Sequence, residues 1–255
     1  MCLIFFAFKI HPIYDLILFA NRDEYYERQT ESARFWNDFP ELLAGRDLKA
    51  GGTWLGVTRH GKFAAITNFR DPSSYSKHAP SRGKLVTDYL LGNDDADLYM
   101  KNIEKKAECY NGFNLLAGDA GRLCYYSNRG GDIEILPAGI YGLSNHLLDT
   151  SWPKVDKGNE FMKQITAREG DISKEEIFLM LHDSSVPGDE KLPDTGVGIE
   201  WERILSSVFV KSPEYGTRCS TILLVDKLGW ISFMERSYDS EQNIAGDVSY
   251  EFSVA

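Results

Sequence analysis

The chain has 255 residues, 43% of them hydrophobic and 26% charged, an ordinary globular composition. Its 13% aromatic content excludes global disorder. The formal net charge is −10 and no Lys/Arg-rich run occurs, which argues against a nucleic-acid or anionic-lipid binder.

Residues 2–9 (CLIFFAFK) form a continuous apolar run, the pattern of a strand covered on both faces. The run is too short for a membrane span and lacks a basic flank or a small-residue cleavage site, so a signal peptide is not expected. His11-Pro12 predicts a turn, and residues 16–21 (LILFAN) a partner strand. Residues 23–50 read as polar loop. Residues 53–58 and 62–69 predict two strands joined by a Gly-containing turn at 59–61. Two helices are expected over 82–91 and 95–110, followed by short strands at 114–118, 122–127, 133–136 and 139–145.

Pro153 marks a helix start over 153–166, and Ser173 caps another over 174–182. Residues 184–198 read as an exposed loop. Residues 217–225 and 228–236 predict a last hairpin, and the tail after 237 reads as polar. Strands paired as hairpins, alternating with helices in pairs, predict an α+β domain over 1–255 with mostly antiparallel sheets. Two sheets between helix layers satisfy this order, and so does a plainer α+β arrangement.

Cys2, Cys109, Cys124 and Cys219 are widely scattered, and no histidine stands at metal-ligand spacing, so neither a disulfide framework nor a metal site is expected. The thiols predict a reducing compartment. Cys2 is the sharpest chemical feature. Removal of Met1 before a small residue would leave a chain starting with Cys2, whose thiol and α-amine form a nucleophile and its base on one residue. The competing reading is a small buried hydrophobe heading a strand.

The polar string Asn21-Arg22-Asp23-Glu24 directly follows an apolar strand. Asp23 or Arg22 could stand near the Cys2 thiol, or the string could be a solvated strand end. Asn68 and Asn145 end apolar strands, where an amide can donate to an oxyanion and where asparagine is also simply common. Arg218 enters a core strand and calls for a partner, Asp23 or a substrate carboxylate among them, unless it marks an exposed start.

These residues carry a resemblance. Ala20-Asn21-Arg22-Asp23-Glu24, together with Cys2, Gly51-Gly52-Thr53-Trp54-Leu55-Gly56, Thr67-Asn68-Phe69-Arg70, Leu143-Ser144-Asn145 and Thr217-Arg218-Cys219-Ser220, resembles the NRDE protein family, the transport and Golgi organisation protein 2 type. That resemblance implies a cytoplasmic protein linked to haem trafficking and to lipid or acyl-CoA homeostasis. More distantly, the pattern is similar to N-terminal-nucleophile hydrolases of the penicillin V acylase and bile-salt hydrolase type. This likeness implies a four-layer αββα sandwich, with Cys2 as nucleophile, Asp23 holding the amine or thiol, and Asn68 as oxyanion donor. It makes Asn145 a second polar support and Arg218 the charge near the thiol. The pattern departs at Ala20, where those hydrolases carry an arginine; here Arg22 stands inside the motif instead.

Two functions follow as expectations. One is hydrolysis of an amide or thioester bond in a small acylated molecule, with no cofactor required. The other is non-catalytic binding and trafficking of haem or an acyl lipid on the same fold. Neither substrate nor oligomeric state is written in the sequence.

Overall fold

The structure, a computed structural model, describes residues 2–255. Among the described residues, thirteen strands and five α-helices follow one another. The first sheet contains β1 (Cys2–Phe8), β2 (Tyr14–Tyr25), β10 (Gly139–Leu143), β11 (Tyr215–Asp226), β12 (Trp230–Tyr238) and β13 (Ile244–Ser253). Their order is β10-β1-β2-β11-β12-β13. The second sheet runs in sequence order from β3 (Thr30–Phe35) through β4 (Leu42–Asp47), β5 (Leu55–Thr58), β6 (Phe63–Asn68), β7 (Phe113–Gly118) and β8 (Leu123–Ser127) to β9 (Gly130–Ile135). The strand pairs are antiparallel in both sheets.

Side-chain alternation makes the layers. Ile4, Phe6 and Phe8 of β1 join Leu16 and Leu18 of β2 and Val57, Phe63 and Leu116 of the second sheet in one core between the sheets. The other face of β1, Leu3, Phe5 and Ala7, packs under α3 (Pro153–Thr166) and α4 (Lys174–Leu181). On the far side, α1 (Gly83–Leu91) and α2 (Ala96–Glu104) cover Ala64, Ile66, Phe113 and Leu115. The result is the four-layer αββα sandwich. Both faces of β1 are buried, which is why its sequence is continuously apolar. Ser173 caps α4 by accepting from Glu176 N, and Pro153 opens α3, as their sequence positions predict.

Several boundaries differ from the sequence reading. Residues 23–50 are not loop. β2 runs on to Tyr25, and β3 and β4 follow. β3 lies at the sheet edge and is only partly buried, so it lacks a clean apolar alternation. The tail is a strand, β13, in which Val248, Tyr250 and Phe252 alternate with Ser249, Glu251 and Ser253 and pack against the core between the sheets. The helix expected over 95–110 ends at Glu104, with a separate 3₁₀ turn at Ala107–Cys109. A short α5 (Ile199–Ile204) follows the predicted loop. Among the described residues, no helix is long and apolar enough to cross a membrane.

Candidate active site

The site lies where β1 begins and where β2, β6, β10 and β11 end or bend. The motif Asn21-Arg22-Asp23-Glu24 is inside β2, not in a turn beyond it. Asn21, Arg22 and Asp23 are 1%, 5% and 2% exposed. Alternation sends them to opposite faces. Asn21 turns toward the helices: its Nδ2 donates to Leu181 O at 2.7 Å and Val208 O at 2.9 Å, and its Oδ1 accepts from Ser220 Oγ at 2.6 Å. It is an anchor joining β2, β11 and the end of α4.

Arg22 turns between the sheets. It stands opposite Cys2 in the β1–β2 register, and its Cζ lies 4.4 Å from the centre of a Trp54 ring. Trp54 lies flat because Gly45 makes room for it; a Cβ there would meet its ring at 2.3 Å. Gly52 likewise lets the chain touch the backbone of Gly83 at the start of α1, since a Cβ would stand 2.7 Å from Gly83 C. These contacts involve Gly52 and Trp54 of the Gly51-to-Gly56 block.

Cys2, Arg22, Glu24, Trp54, Asn68 and Arg82 line a cavity of about 430 Å³. Cys2 is a free cysteine, and the residue as a whole is partly exposed. Burial pushes its pKa up, and the Arg22 guanidinium draws it back down. Burial also raises the Asp23 carboxyl, opposed by Lys154, by the Thr217 hydroxyl bonded to Asp23 Oδ1 at 2.7 Å, and by Arg22. Glu24 lies below the usual carboxylate range: against its own burial, the Tyr25 N–H, Arg22 and Arg28 favour the ionised form. Met1, whose removal the N-terminal-nucleophile chemistry requires, lies outside the described residues.

Asn145 joins the two sheets at the cavity. It is fully buried; its Nδ2 donates to Asn68 O at 3.0 Å and reaches Cys2 O at 3.5 Å, and its own carbonyl accepts from Arg70 N at 2.7 Å. Its amide is committed to backbone, so Asn145 positions Cys2 and Asn68. Arg218 goes elsewhere. A register shift between Thr217 and Cys219 turns it outward, and its Nη1 donates to the carbonyls of Tyr25, Tyr26 and Arg28. Arg22, not Arg218, is the arginine placed across from the thiol.

The structure also brings in residues that sequence reasoning passed over. Lys154 is buried near Cys2 and Asp23, and burial pulls its pKa down to about 7. Arg70 and Glu202 form a buried ion pair at 2.8 Å. The signal for Lys154 was legible: a cation in the first turn of a helix opposes the macrodipole and needs a reason to be there. A second cleft of about 390 Å³ opens beside the cavity and shares Glu24 and Asn68 with it. Tyr25, Pro72, Val197, Trp201, Leu205 and Tyr215 make it predominantly apolar, and the Tyr215 ring meets Tyr25 and Trp201 edge-on. Among the described residues, no group of three His, Cys, Asp or Glu side chains is placed to hold a metal ion.

Comparison with known proteins places the chain. The crystal structure of a mutant conjugated bile acid hydrolase from Clostridium perfringens aligns with a TM-score of 0.49 and 9% identity, over 100% of this chain and 97% of that one. A Bos taurus Transport and Golgi organization protein 2 homolog is 40% identical over 257 residues, 93% of each chain. The Homo sapiens homolog is 39% identical over 275 residues, covering 100% of this chain and 99% of that protein. The family model for Transport and Golgi organisation 2 matches residues 1–240, and the chain belongs to that family.

Proposed function

We propose that this protein is an N-terminal-nucleophile hydrolase that cleaves the amide or thioester bond of a small acylated molecule. The observation that carries the reading is a free Cys2 lining a polar cavity that shares Asn68 and Glu24 with a neighbouring cleft of opposite character. The apolar cleft suits the acyl group. The polar cavity, with five Lys/Arg side chains against three carboxylates in a chain of net charge −10, suits a polar or anionic leaving group.

In the chain processed to Cys2, the α-amine takes the thiol proton as sulfur attacks the carbonyl carbon. The Asn68 amide, lining the same cavity, donates to the oxyanion. Collapse of the tetrahedral adduct breaks the C–N or C–S bond; the ammonium returns its proton to the leaving group, leaving the acyl chain on Cys2. Water, deprotonated by the amine, then releases the acid. Arg22 favours the thiolate throughout. The four free thiols support a reducing compartment, the cytoplasm, as its setting.

Intact-protein mass spectrometry with an activated acyl probe tests this. A mass lacking Met1 and carrying one acyl group, absent in Cys2→Ala, is the expected result. A chain that retains Met1 and leaves Cys2 unmodified would refute it. The exposed rings of Tyr25 and Trp201 in the apolar cleft also favour a second reading, carriage of an acyl lipid or haem without chemistry. Saturable binding of a fatty acid or haemin that persists in Cys2→Ala, with no acyl-enzyme in the parent, supports carriage.

A further inference from the structure

Two polar side chains stand in the apolar layer between the sheets. Thr67 of β6 and Asn114 of β7 oppose each other in the strand register, two residues along from Ala65 and Leu116 of that core, and both are fully buried. Polar groups there are costly unless each donor and acceptor is matched. Here they are. The Tyr125 hydroxyl of β8 donates to Asn114 Oδ1 at 3.0 Å and accepts from Leu148 N at 3.1 Å. Asn114 Nδ2 then donates to Thr67 Oγ1 and to His146 O, both at 2.9 Å. Thr67 Oγ1, having accepted, donates its own hydrogen to Ser144 O at 2.6 Å. The bonds fix which end of the amide is nitrogen and where each hydroxyl hydrogen points.

The chain of bonds ends on the backbone that builds the site. Ser144, Asn145 and His146 follow β10 as irregular backbone, outside any strand. They are held by the end of β6 and its neighbour in the other sheet. Ser144 O takes the Thr67 hydroxyl, Asn145 O takes Arg70 N at 2.7 Å, and His146 O takes the Asn114 amide. The Asn145 side chain returns a bond to Asn68 O at 3.0 Å. Asn114 therefore governs the two outer carbonyls of this clamp, one directly and one through Thr67, while lining no part of the cavity that holds Cys2 and Asn68.

We propose that Asn114 is a positioning residue of the Cys2 site. Acting through Thr67 and His146, it fixes residues 144–146 against the end of β6 and so sets where the Asn68 amide meets the reacting carbonyl. That last step rests on the reading of Asn68 as oxyanion donor. Two probes of Cys2 separate positioning from general damage. An activated thioester of a short fatty acid reacts through an oxyanion, whereas iodoacetamide alkylates sulfur without one. Both reactions are followed on the full chain by mass spectrometry of the Cys2 peptide. Asn114→Ala should slow acylation about tenfold to hundredfold and leave alkylation within about twofold of the parent. Thr67→Val nearly keeps the side-chain shape but breaks the link to Ser144; it should act in the same way, and it serves if the alanine variant does not fold. Thr67→Ser, which keeps the hydroxyl, should restore the parent rate. Acylation unchanged in both variants, or acylation and alkylation falling together, overturns the proposal.

Hydrogen exchange reads the clamp without any acylation. The Asn145 side-chain amide, assigned by NMR from its loss in Asn145→Ala, should exchange about tenfold faster in Thr67→Val, while the backbone amides of β1 keep their protection. Exchange unchanged at Asn145 overturns the proposal. Failure of the parent to take the thioester would remove the hydrolase reading and leave the exchange result to decide the positioning role, so the two fail separately.

Discussion

Replacing Asn145 by alanine tests whether one buried amide holds the two sheets in register at the site. Asn145 lies just beyond β10, and the carbonyls it serves belong to Cys2 in the first sheet and Asn68 in the second. Alanine removes the donor, which belongs to a side chain wholly shielded from solvent. The bond to Asn68 O, at 3.0 Å, is of full strength; the 3.5 Å approach to Cys2 O is at the limit and contributes little. Leaving a buried carbonyl unpaired costs about 1–3 kcal/mol, so the expected loss is about 2 kcal/mol. For a chain of this size that corresponds to a fall in Tm of about 4–8 °C in differential scanning calorimetry. Asn145→Asp should lose more, because it turns a carboxylate oxygen toward two carbonyl oxygens. A Tm of Asn145→Ala within 1 °C of the parent would refute the assignment.

Three other outcomes follow from the packing. Gly158 of α3 lies against Phe5, where a Cβ would stand 2.0 Å from a ring carbon; Gly158→Ala should cost about 1–3 kcal/mol, seen as a lower urea midpoint with unchanged far-ultraviolet circular dichroism. Glu202→Gln strands the Arg70 guanidinium, whose Nε and Nη2 already have no hydrogen-bond partner, and should cost about 3–5 kcal/mol by the same assay. The third concerns pH. Lys154 titrates near 7 in the folded chain, below its ordinary 10.5, so between these values the unfolded chain binds a proton that the folded one lacks. Stability should therefore rise from pH 7 toward 10 and level off below 7, where the burial penalty is fully present; the full span is about 5 kcal/mol. Chemical denaturation at pH 7 and pH 9 reads this slope, and an equal slope in Lys154→Met would rule out Lys154 as its source.

The sequence carried those parts of the fold whose local pattern and tertiary fate agree. The doubly covered β1 is apolar throughout, and Pro153 and Ser173 mark helix starts because the chemistry of a helix terminus is local. β3 was hidden because its partly exposed residues follow no clean apolar alternation, whereas the alternation of Val248, Tyr250 and Phe252 in β13 was legible but follows an exposed first half that masks it. Arg218 was misplaced for a similar reason. The register shift that turns it toward the carbonyls of 25, 26 and 28 is a property of the β2–β11 pairing, and nothing in Thr217-Arg218-Cys219 announces it. Arg70 and Glu202 meet only after α5 and the end of β6 have packed, so their partnership has no signature at any sequence spacing.

The motif inside β2 shows why a polar string can be buried and still divide its labour. Three consecutive polar side chains in a covered strand are expensive, and each needs its own compensation. Asn21 has it wholly inside the protein, with two backbone acceptors and the Ser220 hydroxyl, so its replacement should be felt as lost stability. Asp23 accepts the Thr217 hydroxyl at Oδ1, and burial raises its pKa, so its compensation depends on protonation and therefore on pH. Arg22 has an indole face, a 3.4 Å approach to Thr30 Oγ1 and a 3.9 Å approach to Glu24, none of which saturates its donors. Its planar fork lines the cavity with Cys2. A guanidinium kept rigid by stacking but short of strong partners is prepared to meet an anion, either the thiolate or a group on the ligand. Arg22→Leu should therefore cost little stability beside Asn21→Ala, and should slow the acylation of Cys2 most steeply at neutral pH, where the thiolate depends on its charge.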